Sequence, residues 1–354
     1  MDIFALRYAG LTELPETIRQ HTQLRQLDLT GNALQSLPAW LGELVPLEAL
    51  YLDENQLTSL PDSLGKLVNL RELHLGHNRL RTLPASLKWL VNLQDLRLMH
   101  NGLTEVPDVL WSLPNLRKLY LGDNPLGTLP EQIGNLRHLR ELYVHSSQLT
   151  RLPESIGSLT NLHTLDIGHN ALTALPESLA NLRNLTHFLY ISNNRLSAVP
   201  EMLFKNWPHL RYLNLTDNQL TSLPDTLGKL SSLRELRLYN NQLVRLPDSI
   251  GDLSSLIELH LMNNRLTALP ESIGNLSRLM HLDLRNNQLA ALPDSLSDLR
   301  NLTHLDLRNN KLLTLPDNFA TLPNLKKLDV RWNKLRAVPE WVGRLEQRGC
   351  VMYL

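Results

Sequence analysis

The sequence predicts an α/β solenoid, a right-handed horseshoe of short coils whose concave face is a parallel β-sheet of about sixteen strands. Three observations predict it. Leucine supplies 89 of 354 residues, while Phe supplies 4 and all aromatics together 5%. A compact core mixes side-chain shapes to fill irregular space, so reliance on one shape points to one environment used many times. The proline of a Leu-Pro or Val-Pro dipeptide recurs at 15, 38, 61, 84, 107, 130, 153, 176, 200, 224, 247, 270, 293, 316 and 339. The step is 23 residues, apart from two steps of 24 between 176 and 224. An Asn holds a fixed place in thirteen of fifteen such units, with Ala9 and Ser147 as the exceptions.

One clean unit is Leu70-xx-Leu73-x-Leu75-xx-Asn78-x-Leu80-xx-Leu83-Pro84-xx-Leu87-xx-Leu90. Its Leu-x-Leu centre alternates with period 2, so it reads as a short strand with Leu inward and the intervening residues outward. The Asn that follows stands where the chain turns, and its amide can bond backbone groups of its own and the adjacent coil. The segment after Leu-Pro reads as one short helical or 3₁₀ turn, opened by Pro with acidic residues at its positive end. A strand on one side and a turn on the other close a coil. Strands stack more tightly than turns, so the array must bend with its strands on the inside.

No coil can bury its leucines alone, so residues 1–354 read as one domain. Its parts are a cap-like first strand in 1–11, repeats over 12–335, and a terminal half-repeat with a last strand in 336–354. Neither end shows a polar helical cap, so fraying or a covering partner is expected there. Cys350 reads as a strand residue. Trp40 and Trp341 replace the usual Ser two residues after Pro and are expected as exposed aromatics on the convex side. The two 24-residue steps are expected to bulge their coils.

These repeats resemble the 23-residue LPxxLxxLxxLxxLxLxxNxL class of leucine-rich repeats over essentially the whole chain. That class includes Ras-suppressor and Scribble-type scaffolds, plant intracellular Ras-group proteins and many bacterial proteins. The resemblance implies a protein-binding scaffold that uses its concave sheet.

Charge and composition exclude other classes. Thirty-five cationic residues balance 35 acidic ones, which argues against a nucleic-acid partner. Apolar runs fall far short of the ~20 residues that span a membrane. No signal peptide opens the chain, and one Cys allows neither an internal disulfide nor a thiolate zinc site. The expectation is a cytoplasmic monomer or weak dimer with no cofactor and no catalytic motif. A secreted bacterial effector without a classical leader, acting on host signalling or ubiquitin proteins, is the first alternative. A metal or enzymatic site on the same scaffold, built around His260, His281 and His304, is the second.

Outward strand positions carry the functional signal. With the turn Asn as zero, these are −6, −4, −2 and −1, and they hold seven of the eight tyrosines and eight of the thirteen histidines. Tyr favours strands, which accounts for part of this bias. Exposed Tyr, His, Arg and Met on a rigid sheet also compose a binding hot spot. The candidate partner-binding residues are Tyr51, His74, Arg97, Met99, His100, Tyr120, Tyr143 and His145, then Tyr190, Tyr212, Tyr239 and Trp332. Asp283, Asp306 and Asp329, beside Arg285, Arg308 and Arg331, form a ladder expected to neutralise itself.

Overall fold

The computed structural model describes residues 3–354, in two compact units that meet in sequence at Ala171 and Leu172. The first unit carries β1 (Ile3–Ala5), β2 (Gln26–Asp28), β3 (Ala49–Tyr51), β4 (Glu72–His74), β5 (Asp95–Arg97), β6 (Lys118–Tyr120), β7 (Glu141–Tyr143) and β8 (Thr164–Asp166). The second carries β9 (Phe188–Tyr190), β10 (Tyr212–Asn214), β11 (Glu235–Arg237), β12 (Glu258–His260), β13 (His281–Asp283), β14 (His304–Asp306), β15 (Lys327–Asp329) and β16 (Val351–Tyr353). Within each unit every strand pairs in parallel with the next in chain order, and leucine faces leucine except where Phe4 meets Leu27 and Met352 meets Leu328. In the first unit Leu50, Leu73, Leu96, Leu119, Leu142 and Leu165 form one such row. This is the expected leucine-rich-repeat solenoid, and no helix among the described residues is long and apolar enough to cross a membrane.

Among the described residues, thirteen five-residue 3₁₀ turns each begin directly after a proline of the repeat. The Leu64 N–H donates to the Pro61 carbonyl at 3.1 Å and the Leu67 N–H to Leu64 at 3.0 Å, so Leu spacing of three matches a turn of three residues. Between strand and turn the seven leucines from Leu70 to Leu90 are each at most 7% exposed. Each such side chain contributes roughly 2 kcal/mol of burial, which offsets the ordering of an otherwise irregular coil.

The outer turns stack through a Gly–Ser contact. A Cβ built on Gly251 would lie 2.3 Å from the Ser272 carbonyl oxygen of the next coil, and Gly65, Gly228 and Gly274 meet the same obstacle. Backbone cannot yield as a side-chain tip does. Gly251→Ala is therefore expected to cost about 1–3 kcal/mol by forcing two coils apart. Urea unfolding measures this, and a variant as stable as the parent would show that these coils separate freely.

The buried Asn ladder forms as the repeat predicts. Asn241 donates to the Leu238 carbonyl of its own coil at 3.1 Å and to Leu215 of the preceding coil at 2.9 Å. Its Oδ1 accepts the Leu220 N–H at 3.0 Å. Just before each ladder position the chain turns through the left-handed region, with φ between 50° and 60° at the non-glycine residues. That backbone favours Asn, Asp and His, and it accounts for part of the His77 and His100 placement without any partner. Trp332, at φ 60°, has no such preference.

Three expectations are corrected. Trp341 is only 2% exposed, and its ring packs 6.0 Å from that of Phe319, so it is a core residue; Trp40 is half-buried. The position two after Pro is covered by the neighbouring coil, as the buried hydroxyls of Ser86, Ser249 and Ser272 also show. The last coil does contain a helix with a polar face, α2 (Val342–Gln347), which exposes Arg344, Glu346 and Gln347. The 24-residue steps leave strand register intact, since Phe188, Leu189 and Tyr190 pair with Tyr212, Leu213 and Asn214. One extra residue turns a 3₁₀ segment into α1 (Glu201–Lys205), and Trp207 takes the Leu position after it, 1% exposed. The other lies just before β9. Cys350 is buried and directly precedes β16.

Candidate functional site

Parallel in-register pairing places equivalent outward residues of successive strands side by side. In the first unit this brings Tyr51, His74, Arg97, Tyr120 and Tyr143 into one row across β3 to β7. The Tyr51 and His74 rings lie 4.6 Å apart, the Arg97 guanidinium sits 4.9 Å over the Tyr120 ring, and Tyr120 stacks on Tyr143 at 4.5 Å with 5° between planes. Eight of the twelve candidate residues therefore belong to a single contiguous surface of the first unit.

A second row of carboxylates holds these rings. Tyr51 donates its hydroxyl to Glu72 at 2.6 Å, and Tyr120 and Tyr143 donate theirs to Glu141 at 3.1 and 3.4 Å. Burial, followed by the adjacent Glu72 and Glu141 carboxylates, pushes the Tyr51 and Tyr120 hydroxyls well above their ordinary pKa. Both phenols therefore stay neutral donors. Sequence reading missed Glu72 and Glu141, because their partners are set by strand pairing rather than by spacing along the chain.

The histidines stand between carboxylates. His74 lies 3.7 Å from Asp53 and 3.6 Å from Asp95, and it is only 9% exposed, so it supports the row from beneath. Burial pushes the Asp95 carboxyl up, but the nearby His74 ring and the hydrogen bonds from Arg97 outweigh it and hold the group low. His145 lies 3.3 Å from Asp123 and 3.4 Å from Asp166, above Gly122, where any Cβ would meet the ring at 2.6 Å. His100 reaches Asp123 at 3.5 Å and stacks on His77 at 4.5 Å, while Met99 covers Gly76.

The Asp166 carboxylate, aided by Asp123, holds the His145 pKa above its ordinary value despite burial. A raised folded pKa means that the stabilisation is full below the unfolded value near 6.5 and is lost as pH rises through the folded value. His145→Gln is therefore expected to lower the unfolding temperature more at pH 5.5 than at pH 8.5. Equal losses at the two pH values would show that the charged ring adds nothing.

In the second unit Phe188, Tyr190 and Tyr212 cluster, with rings 4.9–5.9 Å apart, and Arg237 lies 5.5 Å over Tyr212. Burial pushes the Tyr212 hydroxyl up to about 12. Phe188, 43% exposed, stands at outward position −6 before Asn194, and sequence reading missed it because the outward signal was sought in Tyr, His, Arg and Met. Tyr239 faces solvent on the next coil, half-buried. Trp332 stands apart from this cluster, 68% exposed, with Arg331 5.4 Å over its ring.

The acidic ladder neutralises itself as expected: Arg308 and Arg331 bind Asp306 and Asp329 at 2.6 and 2.7 Å. His281 and His304 stack face to face at 4.5 Å, beside a small cleft of about 180 Å³ that also includes His260 and Asp283. The arrangement that brings metal-ligating atoms together is a different one: Glu235, Glu258 and His260, with ligand atoms within 4.8 Å of one another. Arg237 already occupies the Glu235 carboxylate, and Glu258 accepts from the His260 Nε2 at 3.1 Å. The trio is satisfied internally.

Comparison with known proteins agrees with this architecture. The leucine-rich repeat region model matches residues 127–206 and 203–283, and the leucine rich repeat model matches 22–80, 45–103, 69–126 and 277–335. A leucine-rich repeat protein of Leptospira interrogans is 36% identical, with 98% of this chain and 82% of that one aligned and a TM-score of 0.79. The ectodomain of the Arabidopsis thaliana membrane receptor kinase GASSHO1/SCHENGEN3 is 32% identical with a TM-score of 0.74; all of this chain aligns to 46% of it. An internalin of Listeria monocytogenes is 27% identical, with 85% of each chain aligned and a TM-score of 0.74. No curated protein matches. The chain belongs to the leucine-rich repeat proteins.

Proposed function

We propose that this chain is a non-catalytic interaction module that holds a protein partner on the open sheet face of its first unit, from Tyr51 to His145. The carrying observation is the row Tyr51–His74–Arg97–Tyr120–Tyr143, in which each side chain is fixed by its neighbour or by a carboxylate. Rings immobilised before binding lose little conformational freedom on association, and Tyr and Arg are the residue types that dominate measured interfaces. The fold supports protein interaction in general. The Arabidopsis receptor ectodomain with the same architecture was solved in complex with CASPARIAN STRIP INTEGRITY FACTOR 2.

The test is a quantitative pull-down from the source organism's lysate, with wild type against a Tyr51→Asp, Tyr120→Asp, Tyr143→Asp variant. A protein enriched by wild type alone, with both baits equally folded, supports the reading. Equal enrichment by both moves the binding site off this face.

A further inference from the structure

We infer that the open face of the first unit takes a cationic protein segment, rich in Lys or Arg; this rests on the proposed function and specifies its partner. The chain as a whole is neutral, with 35 cations and 35 acids. Its charge is nevertheless segregated. On the outward positions from β3 to the turn after β8 the acids are Asp53, Glu54, Glu72 and Asp95, then Asp123, Glu141 and Asp166. Only Arg97 and Lys118 oppose them, which leaves an excess of five negative charges, of which a protonated His145 offsets one. Arg7 and Asp28, before this stretch, pair with each other and add nothing.

The two cations are also already committed. Arg97 lies 3.3 Å from Asp95, and Lys118 lies 3.3 Å from Glu141. Among the described residues no Lys or Arg comes within ion-pair distance of Asp53, Glu54, Glu72, Asp123 or Asp166. Their neighbours are histidine rings, a tyrosine hydroxyl on Glu72 and on Glu54, and backbone N–H groups at Asp53 and Asp166. Burial pushes the Asp53 carboxyl above its ordinary pKa, as expected of an anion short of counter-charge.

The second unit supplies the contrast. Its outward positions carry Arg237, Arg285, Arg308, Lys327 and Arg331 against six acids, and Asp283, Asp306 and Asp329 each hold an arginine at 3.2 Å or less. One repeat sequence can thus pair its sheet charges internally, and the first unit does not. Tyr rings among unpaired carboxylates offer a guanidinium or ammonium group both a π-face and an anion.

The test uses three 12-residue Gly/Ser-based peptides of net charge about +6, 0 and −6, read by fluorescence anisotropy in low and moderate salt. The cationic peptide is expected to bind, and to weaken about tenfold or more as salt screens the face. Asp53→Asn, Asp123→Asn, Asp166→Asn keeps side-chain shape and is expected to weaken it about tenfold, with a retained single cooperative unfolding transition confirming the fold. Asp225→Asn, Asp248→Asn on the outer turns is expected to leave binding unchanged. Equal binding of all three peptides, no binding of the cationic one, or loss in the outer-turn variant alone would overturn the inference. A lysate partner lost by the tyrosine variant but held equally by the carboxamide variant would also overturn it, while leaving the open-face reading intact.

Discussion

Asn241→Ser is expected to cost about 3 kcal/mol or more, although it exchanges one small polar residue for another. Asn241 satisfies four backbone groups at once: the carbonyls of Leu215, Leu238 and Tyr239 and the N–H of Leu220. It is 7% exposed, so water does not readily replace it. Each buried group left unpaired costs roughly 1–3 kcal/mol. The serine hydroxyl is too short to reach both coils.

The chain contains its own demonstration that such a gap needs repair. Ser147 replaces the ladder Asn in one coil and lies fully buried. Its hydroxyl reaches only the His145 carbonyl, at 3.0 Å. The coil before it is rebuilt: the Leu126 N–H turns back to the Asn124 carbonyl at 2.8 Å, and the Gly127 N–H donates to the Ser147 carbonyl at 3.0 Å. Gly127 takes φ 68°, which other residues adopt at a cost. Around Asn241 the corresponding residues are Gln219, Leu220 and Thr221, with no such provision. Adding Thr221→Gly to Asn241→Ser should therefore recover part of the loss. Urea unfolding of the three proteins decides it: a single variant within about 1 kcal/mol of the parent would show that the ladder is dispensable, and no recovery would show that Gly127 serves another purpose.

The ladder was legible because it rests on spacing alone. Strand register, the buried Asn and the turn after each Pro all follow from a period that Pro marks in fifteen successive units and Asn in thirteen of them. Features that depend on which coil lies next door were not legible. Trp341 looks exposed in a single unit, yet the neighbouring coil covers its position and Phe319 meets it. The extra residues before Phe188 and Trp207 show in the count, but only packing decides that one is absorbed in α1 and the other before β9. The same limit applies to the candidate surface. The column Tyr51, His74, Arg97, Tyr120, Tyr143 can be read off the repeat, whereas the holding carboxylates Glu72 and Glu141 lie in a different column and become partners only through side-chain reach across paired strands. Charge segregation also escaped the total, because a neutral sum conceals where the acids stand.

Loss of the Tyr120 ring is expected to have the largest single effect on partner affinity. Tyr120 occupies the middle of the row, with Arg97 over one face and Tyr143 stacked on the other, so its removal frees both neighbours. A central, pre-ordered aromatic of this kind is commonly worth about 2 kcal/mol or more, a loss of roughly thirtyfold in Kd for Tyr120→Ala. Tyr120→Phe separates the ring from its hydroxyl. It keeps both stacking contacts and gives up only the 3.1 Å bond to Glu141, which Tyr143 and Lys118 also approach. Its effect on Kd should stay within about threefold, the size of one modest hydrogen bond. Stability should change little in either variant, since the tyrosine stands on the solvent side of β6 while Leu119 beneath it remains fully buried. Titration of the purified partner against the three proteins gives the comparison. Equal affinities for wild type and Tyr120→Ala would remove the row from the interface, and a Phe variant as weak as the Ala variant would place the energy in the hydroxyl and Glu141 rather than in the stacked rings.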